Sequence, residues 1–248
     1  MRNSNLIFTF LIILAGTFIK TNAQQVQVGF SAGINSTSAR LTLSTFDKSK
    51  FISKPSPGLT IGIPVYIKLE NNLALKTGVG FQLRRYQIIQ NQFDIPNLVG
   101  SLSFGSGFGV GEVPILVSFK PISIRKTKLE FLAGGVFSIN SLLSTSISSS
   151  IDESEEPVLL SISSGNDFVN NSYSADFYLG ISLGKYKNNN CIQQLTLAYQ
   201  YGIIPLARSS FTTTIATDKN AESHFVVVKP MLSSIILTYA FYPKKWIF

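Results

Sequence analysis

Cysteine is almost absent from these 248 residues, with Cys191 standing alone. A single thiol excludes a disulfide framework and a cysteine-based zinc site. It also leaves no lipid-accepting cysteine after the apolar N-terminal segment, so the chain is not a lipoprotein. Charge is scarce as well, at 14% of residues against 45% hydrophobic, which is too little for an ordinary secreted soluble domain. Long apolar runs are missing in turn. The longest charge-free stretch, 131–151, becomes serine-rich halfway along and carries Gly134, Gly135 and Asn140, so it is no membrane helix. Histidine occurs once, as His224, preceded by Glu222 and Ser223. Neighbours along an extended segment point apart, so adjacency makes no catalytic triad, and the chain is read as non-enzymatic. The Gly-x-Gly spacings of 98–111 open no helix after a strand and cradle no phosphate. No cofactor or metal site is predicted.

What is present begins with a targeting segment. Arg2 gives a positive start and residues 6–19 an apolar core. That core, about fourteen residues, falls short of the roughly twenty that a spanning helix needs. Thr21, Asn22 and Ala23 offer small residues where a signal peptidase reads, so 1–23 is read as a cleaved signal peptide and 24–248 as one mature domain. A mature chain this apolar, without spanning helices, places its apolarity by alternation, as transmembrane barrels do.

Period-two alternation recurs eight times. Val26, Val28, Phe30, Ala32 and Ile34 alternate with Gln27, Gly29, Ser31, Gly33 and Asn35. Leu59 to Leu69 and Leu73 to Leu83 repeat the pattern on either side of Asn71-Asn72, as a hairpin. Segments 112–120, 129–139, 173–184, 194–203 and 235–241 follow, the last ending before Pro243. The connections alternate long and short: 36–56, 71–72, 87–110, 121–127, 141–172, 187–192 and 204–230. Outer-membrane barrels have short periplasmic turns and longer outside loops. The expected fold is therefore an all-β, eight-stranded antiparallel transmembrane β-barrel in a bacterial outer membrane, with N- and C-termini periplasmic. A soluble lipocalin-like barrel would turn its apolar faces inward and carry a more charged surface.

Pro64 and Pro114 fall inside predicted strands. Proline cannot donate to a ladder, so each is expected at a bulge or a local bend. The face opposite the apolar one carries Lys68, Glu70, Lys76, Arg84, Glu112, Lys128, Glu130 and Asp176. Eight strands enclose a bore just wide enough for side chains, so charges of both signs should pair into a structural plug. The sharper alternative is a narrow ion or proton path. The lumen network is assigned to Lys68, Lys76, Arg84, Glu112, Glu130 and Asp176.

Charge also separates along the axis. The predicted periplasmic end carries Lys120, Arg125, Lys126, Lys128, Lys185, Lys187, Lys244 and Lys245, whereas the outside loop 141–172 carries Asp152, Glu153, Glu155 and Glu156. A basic rim of Arg125, Lys126, Lys185, Lys187, Lys244 and Lys245 can hold outer-membrane lipid headgroups or a protein partner. Nucleic acid is no partner, since the chain leaves the cytoplasm and has no nucleic-acid-binding fold signature.

Gly111-Glu112-Val113-Pro114-Ile115-Leu116-Val117-Ser118-Phe119-Lys120 resembles a strand of the outer-membrane β-barrel family common in Bacteroidota, the PorT-like barrels. Tyr199-Gln200-Tyr201-Gly202-Ile203 is similar to that family's penultimate strand. The resemblance implies a non-enzymatic barrel acting as an accessory or partner-binding subunit of an envelope or type IX secretion-related complex. A small solute- or ion-transporting barrel is the alternative.

Overall fold

A computed structural model describes residues 25–43, 51–70, 72–90, 99–124, 126–153, 159–164, 169–170, 172–187, 190–204, 207–216 and 221–243. The expectations for 1–23, Arg125, Lys244 and Lys245 lie outside the described residues. Among those residues the structure is all strand: β1 (Val26–Val28), β2 (Phe30–Leu43), β3 (Phe51–Lys68), β4 (Leu73–Gln90), β5 (Val99–Ile124), β6 (Thr127–Glu153), β7 (Leu159–Ser164), β8 (Val169–Asn170), β9 (Tyr173–Lys187), β10 (Asn190–Gly202), β11 (Ala207–Ala216) and β12 (Ala221–Phe241).

Eight of these positions form a closed antiparallel barrel. β1 and β2 count as one, interrupted at Gly29, and are followed by β3, β4, β5, β6, β9, β10 and β12. Closure comes from β12, which pairs with β2 from Val228↔Leu43 to Phe241↔Phe30, while β2 pairs in turn with β3. With no edge left, every spanning strand finds a ladder partner on both sides, which hydrocarbon demands.

The alternation read from the sequence fixes which face each residue takes. Leu59, Ile61, Leu197 and Ile235 are each 56–58% exposed on the outside of the wall, while Arg84, Glu130 and Asp176 are buried inside it. A continuous apolar belt of this kind is stable against lipid and not against water. Aromatic residues sit side by side on the outer face, Phe30 beside Phe241 and Phe119 beside Phe131.

Strand length departs from expectation at one end. The outward apolar band covers about nine to eleven residues of each strand, the length a tilted strand needs to cross a bilayer. Yet β5 has 26 residues and β6 has 27, paired from Ile124↔Thr127 to Val99↔Glu153. Much of 87–110 and 141–172, expected as loop, is therefore ladder. At that end about twelve residues of β5 (99–110) and about fourteen of β6 (140–153) run past the band, roughly 40–45 Å of strand at about 3.3 Å per residue. Beyond the band β11 adds to β12 and β7 to β11.

At the prolines the irregularity takes the form of a local interruption of the ladder, with no register shift. The register runs straight through Pro64, which pairs with Gly78. On the other side of β4 the ladder is registered at Lys76↔Leu116 and again at Gly80↔Glu112, which sets Gly78 opposite Pro114. Register shifts fall elsewhere, between Pro55 and Thr60 in the β3–β4 ladder, at Val99/Gly100, Gly107/Phe108 and Phe119/Ile122 in the β5–β6 ladder, and at Cys191/Gln193 in the β9–β10 ladder. Gly78 therefore stands between two residues that cannot donate, and it absorbs the irregularity with φ of 133°. A Cβ at this position would lie 2.2 Å from the Ile63 carbonyl oxygen.

Two outcomes follow for urea unfolding in phospholipid vesicles. Leu179→Arg, in the middle of the outer belt, should cost about 2–4 kcal/mol relative to Leu179→Ala. Gly78→Ala should cost about 1–3 kcal/mol through backbone strain. A Gly78→Ala barrel as stable as the wild type would show that the strand pair yields to a methyl group.

Candidate functional site

Alternation sends every second residue of each strand into the bore, and in eight strands those side chains must fill it. They do so in layers. The central layer is an ion network. Arg84 on β4 donates from Nη1 to Asp176 Oδ2 of β9 at 2.8 Å, from Nη2 to Glu112 Oε1 of β5, and from Nε to Gln82 Oε1 at 3.1 Å. Gln200 on β10 donates to Glu112 Oε1 at 3.0 Å and to Asp176 Oδ2 at 2.8 Å. Gln82 completes the set through its Nε2, which donates to Glu112 Oε2 at 2.7 Å and to Gln200 Oε1 at 3.3 Å. Since β4 and β10 stand four strands apart in the eight, this network bridges opposite walls. Arg84 is 1% exposed and Asp176 2%, so the bore is shut at this level.

A second network lies nearer the short turns. Glu130 on β6 accepts from Ser118 Oγ at 2.7 Å and from the Tyr186 hydroxyl, and it pairs with Lys76 Nζ at 2.9 Å. The Tyr186 and Tyr66 hydroxyls are 3.4 Å apart. Lys120 Nζ sits 4.7 Å from the Tyr66 ring centre and 5.5 Å from that of Tyr186, and Lys128 Nζ is 4.8 Å from the Tyr186 ring. Next to them, Gln27 on β1 clasps Cys191 on β10: the Cys191 N–H donates to Gln27 Oε1 at 3.0 Å and Gln27 Nε2 to the Cys191 carbonyl at 3.4 Å.

Between the two networks lies a cavity of about 130 Å³. Its lining includes Lys76, Glu112, Leu116, Leu132, Tyr178 and Gln194. On the far side of the central network, towards the long strands, charge gives way to aromatic and aliphatic groups mixed with neutral polar ones such as Asn140 and Ser174. Tyr86 stacks on Phe108 with ring centres 6.2 Å apart, and Ile88 and Leu232 are buried nearby in the chain's inward series.

Of the residues assigned to the lumen from sequence, Arg84, Glu112 and Asp176 meet in the central network, and Lys76 and Glu130 meet in the second. Lys68 joins neither. It ends β3, one ladder pair from the hairpin turn, where the bore opens, and it is only partly buried. Among the rim residues, Lys126, Lys185 and Lys187 are exposed at the short-turn end. Lys120, grouped with that end by its position, points inward and is 3% exposed. Sequence reading did not single out Gln82, Gln200, Tyr66 or Tyr186; inward parity placed the first three on the bore side, and Tyr186 lies past the end of the expected strand 173–184, which runs on to Lys187. His224 pairs with Thr213 in the β11–β12 ladder.

A family described as outer membrane protein beta-barrel domain matches residues 22–208. Solved structures similar to this chain include the outer membrane protein OprG from Pseudomonas aeruginosa, at 10% identity over 89% of this chain and 96% of that one, with a TM-score of 0.34. A major outer membrane protein from Thermus thermophilus is 12% identical over 87% and 99%, with a TM-score of 0.38. The outer membrane protease OmpT from Escherichia coli is 8% identical over 90% and 98%, with a TM-score of 0.36. No curated protein matches the sequence.

Removing one partner from a buried ion network leaves the others charged and unpaired, whereas removing the whole network does not. Arg84→Met should therefore destabilise the barrel by about 3–5 kcal/mol. Arg84→Met combined with Glu112→Gln and Asp176→Asn should recover most of that loss. Both are read as urea midpoints in the same vesicles, and equal midpoints for the single and triple variants would remove the ion network as a source of stability.

Proposed function

The chain belongs to the outer membrane protein beta-barrel domain family, and from that premise we propose that it is a non-enzymatic barrel that works through its wall, rims and loops rather than through its bore. The observation that carries this reading is the occlusion of the lumen. Arg84, Glu112, Asp176, Gln82 and Gln200 bridge opposite walls, and Tyr86 and Phe108 stack beyond them. A bore filled this way leaves no continuous aqueous path.

In this reading the short turns and both chain ends face the periplasm, and the long strands β5 and β6 project outside the cell. Exposed Lys126, Lys185 and Lys187 then lie where anionic headgroups or an acidic protein face can meet them. The role we favour is that of an accessory or partner-binding subunit in an envelope complex. Similarity of 111–120 and 199–203 to PorT-like barrels supports a type IX secretion-related complex as its setting. The cavity between the two networks favours a second reading, a barrel that binds or passes a small solute.

The two readings separate in one preparation. Protein extracted from outer membrane in mild detergent should bring down a stoichiometric partner, and the purified barrel in planar bilayers should show no single-channel conductance. Steady conductance without a partner would replace the first reading with the second.

A further inference from the structure

At the short-turn end of the bore, three ammonium groups face one carboxylate. Lys76, Lys120 and Lys128 surround the rings of Tyr66 and Tyr186 at 4.7 to 5.6 Å from the ring centres. Among the described residues Glu130 is the one carboxylate paired with them, and it is already engaged on both oxygens, by Ser118 and Lys76 on Oε2 and by Tyr186 on Oε1. Lys120 is 3% exposed, and its partners are two aromatic faces. An aromatic face attracts a cation more weakly than a carboxylate does, and a buried charge calls for a paired one.

The neighbouring cavity adds an independent observation. Lys76 and Gln194 line it, as does Glu112, whose oxygens are taken by Arg84, Gln82 and Gln200. Gln194 is 3% exposed, and its Nε2 has no hydrogen-bond partner among the described residues. Amide nitrogen and ammonium alike are donors only. What is missing from this end of the lumen is an acceptor with negative charge. At about 130 Å³, against the roughly 10–15 Å³ that one water needs on the same measure, the space suits a compact group.

We propose that the short-turn end of the lumen is a binding site for a compact oxyanion, namely a phosphate group. Lys76 and the Gln194 amide hold its oxygens from the cavity side, and Lys120 and Lys128 supply the balancing charge. The site is independent of the partner-binding reading, since it follows from the fill of the bore alone. Its ligand is either dissolved phosphate or the phosphate of a membrane lipid headgroup, and both present the same oxygens to the same donors.

The experiment follows thermal unfolding of the protein extracted in zwitterionic detergent. Inorganic phosphate is titrated against chloride at constant ionic strength, and a parallel arm uses zwitterionic bicelles with and without phosphatidylglycerol. Phosphate should raise the midpoint of the wild type by several degrees if the ligand is dissolved. A rise with phosphatidylglycerol alone would support the site and assign it to a lipid headgroup. Lys120→Met should unfold above the wild type in chloride, because an uncompensated cation is gone, and should lose most of its response to phosphate. Should that variant fail to fold, the less buried Lys128→Met should show a response weakened about tenfold in half-saturating concentration. Lys54→Met, at the other end of the barrel and exposed, should respond as the wild type does. A wild type unmoved in both arms, or lysine variants at 120 and 128 that respond like it, would overturn the proposal.

Discussion

The structure depends on one constraint: in hydrocarbon, each backbone N–H and C=O must find its partner within the protein. Closing β12 onto β2 meets it by removing the sheet's edge, and closing at eight strands leaves a bore that side chains must fill. The alternation follows directly, with apolar residues turned to lipid and polar ones turned inward. Where the ladder is weakest, at Pro64, Gly78 and Pro114, the wall borders the cavity, whose lining includes both prolines and Gly80. Irregular backbone at membrane depth is tolerated where it faces protein or a cavity rather than lipid.

The same constraint explains what could be read from the sequence. Within the bilayer, lipid enforces period two, so runs such as Leu73 to Leu83 and Leu195 to Ile203 identify their strands without ambiguity. Past the bilayer nothing enforces it. Gly, Ser and Phe in 99–110, and the serines of 140–153, break the apolar alternation, yet the ladder continues through both. Hydrogen bonding does not need the pattern; only burial in lipid does. Strand existence was therefore legible and strand length was not.

In the lumen, charge was the legible signal. Arg84, Glu112 and Asp176 stand out because a narrow bore leaves buried charges no option but to pair. Gln82 and Gln200 do not, because a neutral amide on the inward face is compatible with any number of partners. Height along the axis was harder still. Lys68 and Lys120 share inward parity and lie near the same end, yet one is only partly buried and the other is covered by Tyr66 and Tyr186. Which lysine the aromatic rings cover depends on the stagger between strands, and that is set by the ladder as a whole.

The two networks do not neutralise each other. The central one sets two carboxylates against Arg84, and the other sets three ammonium groups against Glu130. Opposite excesses in one bore would be expected to collapse together, but Leu116, Leu132 and Val136 stand between them and border the cavity. These side chains are fixed by strands that cannot slide, since a shift of one residue would turn every lipid-facing side chain inward. Register therefore does more than seat the barrel in the membrane. It holds the charges of the lumen apart, so that the central network can tie the walls together while the short-turn end keeps its positive excess.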